Sequence, residues 1–362
     1  LPLSYHGPTG RPPMPASVRD ADVLIVGQGL AGSTLAWALA DRGVSVVVVD
    51  RGGVDEAGRP SASRVAAGLI TPVTGKRLTV APGFAEQRQT AREHYRRVES
   101  ATGAAVLTEQ PALRAFRDAE EHRRFLERGA NGQGVLATLA EISQSGHSLR
   151  HMQCGAFVMP GAARLNAAAY CNATAGWLGA RLVRDACNLG RELQIGTDRV
   201  TIDRLGITAR LAVLCVGHSP PPIRWLDGVY FSPAKGEVLT VRSSQLKADR
   251  VLHHSGAWIV PEGAGRYRVG ATVEWNRLDA HPTVSARQQL LDRLTAAGVT
   301  DAEVIDHQAA VRPATPDRTP TFGFSTAAPR VGWLNGLGAK GSLWAPTYAA
   351  RMAGVIVGSG RL

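Results

Sequence analysis

Residues Ala21–Arg51 constrain this chain more than any other stretch. An apolar run, Val23–Val26, leads into Gly27-Gln28-Gly29-Leu30-Ala31-Gly32. A helical pattern follows to Arg42, then a second apolar run, Val44–Val49, ends in Asp50. Strand, glycine turn, helix, strand and acid in that order form the dinucleotide-binding fingerprint in its structural context. Gly27 permits the tight turn, Gly29 lets the backbone approach a pyrophosphate, and Gly32 lets the helix pack against the strand. The helix N-terminus offers free N–H groups and a partial positive charge. Asp50 stands where a carboxylate accepts hydrogen bonds from a ribose diol, and it would repel a 2′-phosphate, which disfavours NADP. The fingerprint alone does not separate FAD from NAD.

The rest of the chain decides between them. At 362 residues it is long enough for two domains. Val229–Val241, Val251–Val260 and Tyr267–Val273 alternate like strands of an antiparallel sheet, separated by turns such as Pro261-Glu262-Gly263. Helices are expected over Ala85–Ser100, Asp118–Arg128, Leu165–Leu178, Thr283–Ala297 and Pro346–Val357, with extended segments over Ala105–Phe116 broken at Pro111. A second glycine turn, Asn335–Ser342, follows the short strand Val331–Leu334. Both ends of the chain therefore serve one nucleotide-binding domain, and the middle supplies a β-rich substrate domain. An NAD dehydrogenase seldom interleaves its domains this way.

No apolar run reaches the roughly 18 residues that span a bilayer. Residues 1–20 are rich in proline and glycine and lack the apolar core of a signal peptide; we expect a flexible arm or an appended remnant, with Met14 as the natural start. Cys154, Cys171, Cys187 and Cys215 form no CxxC pair and no histidine cluster has zinc spacing, so reduced thiols, a cytoplasmic setting and no metal are expected. The net charge of +11 and pI of about 10.1 suit nucleic acid or acidic substrates, or simply solvated surface arginine. Arg88, Arg92, Arg96 and Arg97 recur at helical spacing, which predicts a basic helix face.

Five blocks carry a resemblance over nearly the whole chain after Asp20: GQGLAG with Asp50-Arg51; SASRVAAGLITP at 61–72; VLCVG at 213–217; AKGEVLTV at 234–241 with WIVP and RVGATVE; and VRPATPDRTPTFG followed by LNGLGAKGSLWAP. Together they resemble the D-amino acid oxidase family of FAD-dependent amine oxidoreductases, which includes glycine oxidase, sarcosine oxidase and the oxidase half of a tRNA-modifying enzyme. The resemblance implies an α/β fold with a Rossmann-like FAD-binding domain (residues 21–80, 150–220 and 310–362). An interleaved, mainly antiparallel β-sheet substrate domain (81–149 and 221–309) would complete it.

The family pattern also implies roles. Gly27, Gly29, Leu30, Ala31 and Gly32 would hold the FAD pyrophosphate; Asp50 would bind the adenosine ribose with Arg51 beside the adenine. Ser63, Arg64, Ala67, Gly68 and Leu69 would line the ribityl chain and flavin, and Gly217 would end the strand that reaches the cofactor. Gly338, Ala339, Lys340, Gly341 and Ser342 would sit beside the isoalloxazine ring. Arg312 matches the carboxylate-binding arginine of glycine oxidase; the competing reading is a structural arginine paired with Asp317. Lys340 could add a second positive charge near substrate or flavin. Trp258 stands where a residue often faces the substrate, and Arg268 falls where sarcosine oxidase carries an oxygen-activating lysine. His253 and His254 occupy opposite faces of a strand, so at most one faces the site. Gln308–Ala314 lacks the cysteine that tethers flavin in sarcosine oxidase, so noncovalent FAD is expected, and Cys215 should be inert.

The implied reaction is oxidation of a primary or secondary amine, such as a small α-amino acid or N-alkyl glycine, to an imine by hydride transfer to flavin N5. Hydrolysis of the imine and transfer of electrons to oxygen or another acceptor follow. Such chemistry needs positioning more than a nucleophile. The alternatives are a tRNA wobble-uridine oxidase, an amine dehydrogenase feeding a quinone or flavoprotein, and a non-enzymatic flavoprotein scaffold. Oligomeric state is not legible.

Overall fold

The computed structural model describes residues 19–54, 58–75, 77–130, 138–139, 154–218, 225–226, 228–360 and 362. The arm expected at residues 1–20 lies outside them up to residue 18. Arg19 and Asp20 instead begin the first strand, Arg19–Val26, because Arg19 N–H donates to Gly206 O at 2.8 Å and extends the ladder.

That strand is the middle of a twisted sheet. Val46–Asp50 and Ile207–Leu214 flank it in parallel. Leu182–Arg184 lies beyond the first of these, Val331–Asn335 beyond the second, and Thr321–Phe324 closes that edge antiparallel. The apolar runs lack polar alternation because both faces are covered. Val23, Ile25, Val46, Val48, Leu211 and Val213 enter one core; Leu24, Val26, Val47, Val49, Ala212 and Leu214 enter the other. Helix Leu30–Ala40 is buried almost all round, packed between this sheet and the closing helix Gly341–Gly358. The two chain ends thus form one body, and Leu30 lies against Gly341.

The second sheet runs Glu303–Arg312, Ala234–Arg242, Arg266–Gly270, Ala257–Gly263, Leu252–His254, Ala112–Ala115, Ala156–Met159 and Thr138–Leu139. It is antiparallel except where Leu252–His254 meets Ala112–Ala115. Helix Val284–Ala296, capped by the Thr283 hydroxyl on Ala286 N–H at 3.2 Å, covers its outer face with Leu290 and Leu294. The turn read at Pro261-Glu262-Gly263 is shifted: the strand runs through to Gly263 with an irregular register at the proline, and Ala264-Gly265 turns the chain.

Two segments sit on the opposite side of the division drawn from sequence. Helix Phe84–Thr102, assigned above to the substrate domain, packs Ala91, Tyr95 and Val98 into the core around the closing helix. These positions form a stripe at i, i+4 and i+7 that is hard to see among the charged and polar residues that make up most of the helix. Strand Ala156–Met159, assigned to the FAD-binding domain, pairs with Ala112–Ala115 in the second sheet. The boundary at 149–150 lies outside the described residues.

The predicted basic face of Phe84–Thr102 exists, but it is occupied. Arg88, Arg92 and Arg96 converge on Glu109 at 3.1–3.2 Å, Arg96 also reaches Glu99 at 2.7 Å, and Arg97 pairs with Asp41. No helix of the described residues is long and apolar enough to cross a membrane.

The closing helix begins five residues earlier than its sequence pattern suggested, with Pro346 inside its second turn. Proline has no N–H, so the Ser342 carbonyl loses its helical donor. The buried Tyr95 hydroxyl donates to that oxygen instead, at 2.8 Å. Burial keeps this phenol protonated far above its ordinary pKa.

Candidate active site

The first glycine turn is built by collision avoidance. Gly27 has φ +100°, and a Cβ there would strike the Cys215 carbonyl; a Cβ on Gly32 would strike the Gly27 carbonyl. Gly29 is the helix N-cap, with no side-chain cap and no acidic residue in the first turn. Leu30 N–H donates to Ser63 Oγ at 3.0 Å, while Ala31 and Gly32 lie in the first turn, where amides have no intrahelical acceptor. This is a site for an anion. Asp50 accepts from Gln28 N–H at 2.8 Å, Gly52 N–H at 2.6 Å and Gly53 N–H at 2.7 Å, so its carboxylate is oriented before any ligand arrives.

A cavity of about 2210 Å³ extends from Asp50 and Arg51 past Gly29, Leu30 and Ala31, then Ser63, Ala67, Gly68 and Leu69. It ends against Gly217, Trp258, Arg312 and the turn Gly338–Ser342. Three of the residues expected at the cofactor or substrate are not in its lining. Gly32 is inside the helix. Arg64 Nη1 donates to Asn172 Oδ1 at 2.5 Å and its guanidinium fills the space left by the missing side chain of Gly53. Arg268 donates to the carbonyls of Val65 and Ala66 at 2.6 and 3.1 Å; it braces the end of the short helix Ala62–Val65 and does not face the cavity.

The second sheet forms the wall opposite the glycine turns. Its register puts Val238, Gly270, Trp258 and His253 in one row across four strands, with Gly236 and Ala310 one step along. Two glycines hollow this wall. A Cβ on Gly236 would collide with the Arg312 guanidinium, and one on Gly270 would collide with the Trp258 indole. Arg312 and Trp258 therefore lie flat against the sheet from adjacent positions.

Arg312 does not pair with Asp317, whose Oδ1 accepts from Thr319 N–H at 3.0 Å. Among the described residues the half-buried guanidinium has no hydrogen-bond or carboxylate partner, and desolvation alone pulls its pKa below the usual arginine value. Lys340 also lines the cavity; its ammonium lies 5.9 Å from the Trp344 ring centroid. Desolvation, then the nearby Arg318, lowers its pKa.

Of the two adjacent histidines, His253 is the one in the cavity lining, and its Nε2 is buried without a partner. Burial, then Arg114, pushes its pKa down to about 4. His254 turns away and shares a 2.7 Å hydrogen bond with Ser255. Cys215 is a free thiol, buried beside Gly27, and burial raises its pKa far above the reactive range. Among the described residues no group of three or more His, Cys, Asp or Glu side chains is placed to hold a metal ion.

Sequence reasoning missed Gly236 and Gly270, whose value lies in cross-strand register. It also missed Asn335, which ties the second glycine turn to the segment that follows strand Ile207–Leu214: its Nδ2 donates to Gly217 O at 2.9 Å and its Oδ1 accepts from Gly336 N–H at 2.9 Å.

The uncapped helix N-terminus, the pre-set Asp50 and a cavity long enough to join them to the second glycine turn fit an extended dinucleotide such as FAD. The comparisons with known proteins agree. The chain is 25% identical to glycine oxidase of Bacillus licheniformis over 358 residues, covering 93% of each. It is 25% identical to the tRNA 5-methylaminomethyl-2-thiouridine biosynthesis bifunctional protein MnmC of Marinobacter nauticus; the match takes in 97% of this chain and 58% of that protein. The solved glycine oxidase of Bacillus cereus superposes with a TM-score of 0.75 at 21% identity, over 94% of this chain and 95% of that one. The family model for FAD dependent oxidoreductases (DAO) matches residues 22–354, and the chain belongs to that family.

Proposed function

We propose that this flavoprotein oxidises a primary or secondary amine bearing a carboxylate, such as a small α-amino acid or an N-alkyl glycine, to the corresponding imine. The observation that carries this reading is Arg312: a guanidinium desolvated in the cavity wall, with no carboxylate of the protein beside it among the described residues. Such a fork suits a bidentate substrate carboxylate. Glycine oxidase among the relatives supports the same class.

In this reading FAD would be held noncovalently and would supply the hydride acceptor. The glycine turn at 27–32 and Asp50 would hold its diphosphate and ribose. The turn Gly338–Ser342 and the first turn of the closing helix would offer amide N–H groups and Lys340 to its ring, a positive environment for charge that develops on reduction. Arg312 fixes the carboxylate, Trp258 bounds the substrate side, and the sheet excludes water. Water enters afterwards to hydrolyse the imine.

The test is an anaerobic screen of glycine, sarcosine, D- and L-amino acids and other amines against the FAD-loaded enzyme, following flavin bleaching. Bleaching by a carboxylated amine is expected. A chain that takes up no FAD, or a bound flavin that no amine reduces, would overturn the reading; the latter is what a scaffold would show. Reoxidation in air separates an oxidase from a dehydrogenase feeding another acceptor.

The match to MnmC over nearly all of this chain favours one second reading, oxidation of a modified base in tRNA. The arginines of Phe84–Thr102 are held by Glu109, Glu99 and Asp41, which leaves less free charge for phosphates than composition suggests. A salt-dependent tRNA gel shift would favour it.

A further inference from the structure

Three cations line the substrate end of the cavity: Arg312, Arg318 and Lys340. They come from two segments locked side by side. Gly338 N–H donates to Pro313 O at 2.8 Å, Ala314 bridges Leu337, and Ser232 N–H donates to Ala314 O at 2.7 Å. Among the described residues none of the three has a carboxylate partner. The carboxylates in the same lining are engaged elsewhere: Asp50 on backbone amides, Asp185 on Arg204, Asp279 on Lys235, and Asp317 on the Thr319 amide.

Arg318 is also held in a costly conformation. It closes a tight turn, its N–H donating to Thr315 O at 3.0 Å, and its φ is +63°. A glycine would sit there without strain, whereas an arginine side chain is disfavoured. Its charge acts on the Lys340 ammonium, so two like charges share the cavity mouth with no carboxylate partner among the described residues. Concave surfaces with a local excess of one sign of charge concentrate oppositely charged ligands.

Arg312 already accounts for one carboxylate in the reading above, on which this inference rests. We propose that the substrate amine carries a second anionic group, a carboxylate or phosphonate, and that Arg318 and Lys340 form its subsite. Glycine and sarcosine are then poor mimics of the substrate, and an amino dicarboxylate or an N-carboxyalkyl amino acid is a good one.

The experiment uses the FAD-loaded enzyme in two arms. In the first, butyrate, succinate, glutarate and 3-phosphonopropionate are titrated against the flavin spectrum. At least one dianion should bind about tenfold tighter than butyrate, and added salt should narrow the gap. Arg318→Gly, which removes the charge while suiting the backbone, should cut the gap several-fold; Lys340→Met should cut it further; Arg318→Lys should restore most of it. In the second arm, kcat/KM is compared for sarcosine against iminodiacetate and for norvaline against glutamate, each amino acid as both enantiomers. The dianion-to-monoanion ratio should exceed one and fall in Arg318→Gly. Equal affinity for mono- and dianions, or a gap unmoved by Arg318→Gly, overturns the proposal. If no amine bleaches the flavin, the amine reading fails, and the titrations still decide whether the second anion site exists.

Discussion

The two ends of the cavity are finished in opposite ways. At the nucleotide end the side chains that shape the site are engaged within the protein, and only first-turn helix amides are left open to an anion. Asp50 is held by three backbone amides, Leu30 N–H by Ser63, and Arg64 by Asn172. At the substrate end Arg312, Arg318 and Lys340 lie in one lining with no carboxylate opposite them among the described residues. A resident cofactor rewards a site that is already ordered, since binding then costs little reorganisation. A ligand that turns over must supply its own countercharge, and leaving it unsatisfied until arrival is how such a site discriminates.

Disturbing the ordered end should have the largest effect. Gly32→Ala drives a methyl into the Gly27 carbonyl, and we expect a loss of about 3 kcal/mol or more together with most of the bound FAD. Flavin-to-protein absorbance and thermal melting check this; full occupancy in the variant would show the turn to be more pliable than its packing implies.

At the unsatisfied end, Arg312→Met should leave flavin content high while kcat/KM for carboxylated amines drops by roughly 10²–10³-fold. A stopped-flow reductive half-reaction separates the two outcomes. Retained flavin with lost turnover marks the divide between the ends, whereas loss of both would erase it.

Each half also buries a neutral histidine. Burial, then Arg97, pushes His94, which shares a 2.8 Å hydrogen bond with Tyr170, down to about 3; burial, then Arg114, pushes His253 down to about 4. Both pKa values lie below the unfolded value of about 6.5, so the unfolded chain takes up protons first as pH falls. Their stability contribution is whole above about pH 6.5 and is lost progressively toward pH 4 for His253 and pH 3 for His94. Urea melts across pH 7 to 4.5 should show falling stability, and His253→Gln should flatten the slope. An unchanged slope would mean His253 is hydrated in solution.

The smallest expected effect is at the exposed arginine cluster. Glu109→Gln should cost only about 0.5–1 kcal/mol, because those pairs are largely solvated. It should also release Arg88 and Arg92 from their carboxylate, Arg96 keeping Glu99, so any tRNA affinity would rise in the variant, which a gel shift at low salt would detect.

Legibility from sequence followed the same divide. The nucleotide end could be read because its requirements are local: Gly27, Gly29 and Gly32 act within six residues, and the Val46–Asp50 strand pairs next to the first. The interleaving of chain ends could be read because the second glycine turn repeats that local signature. The wall of the substrate end depends on residues far apart in the chain becoming neighbours by register, as Trp258 does with Gly270 and Arg312 with Gly236. Nothing local in AKGEV or RVGAT says whose side chain will lie over each glycine. Arg268 illustrates the reverse error. Family position assigned it to the reacting centre, while its actual partners, the Val65 and Ala66 carbonyls, are some two hundred residues away.

Tyr95 and Pro346 carry one last consequence. The proline deletes a rung from the closing helix just behind the turn that borders the cavity at the proposed flavin site, and a phenol from 247 positions earlier puts it back. That turn is therefore braced by a strut from a different element, and its stiffness can be tuned there. Evolution, or an engineer, could soften the redox edge of this protein through Tyr95 without altering a single residue that meets cofactor or substrate.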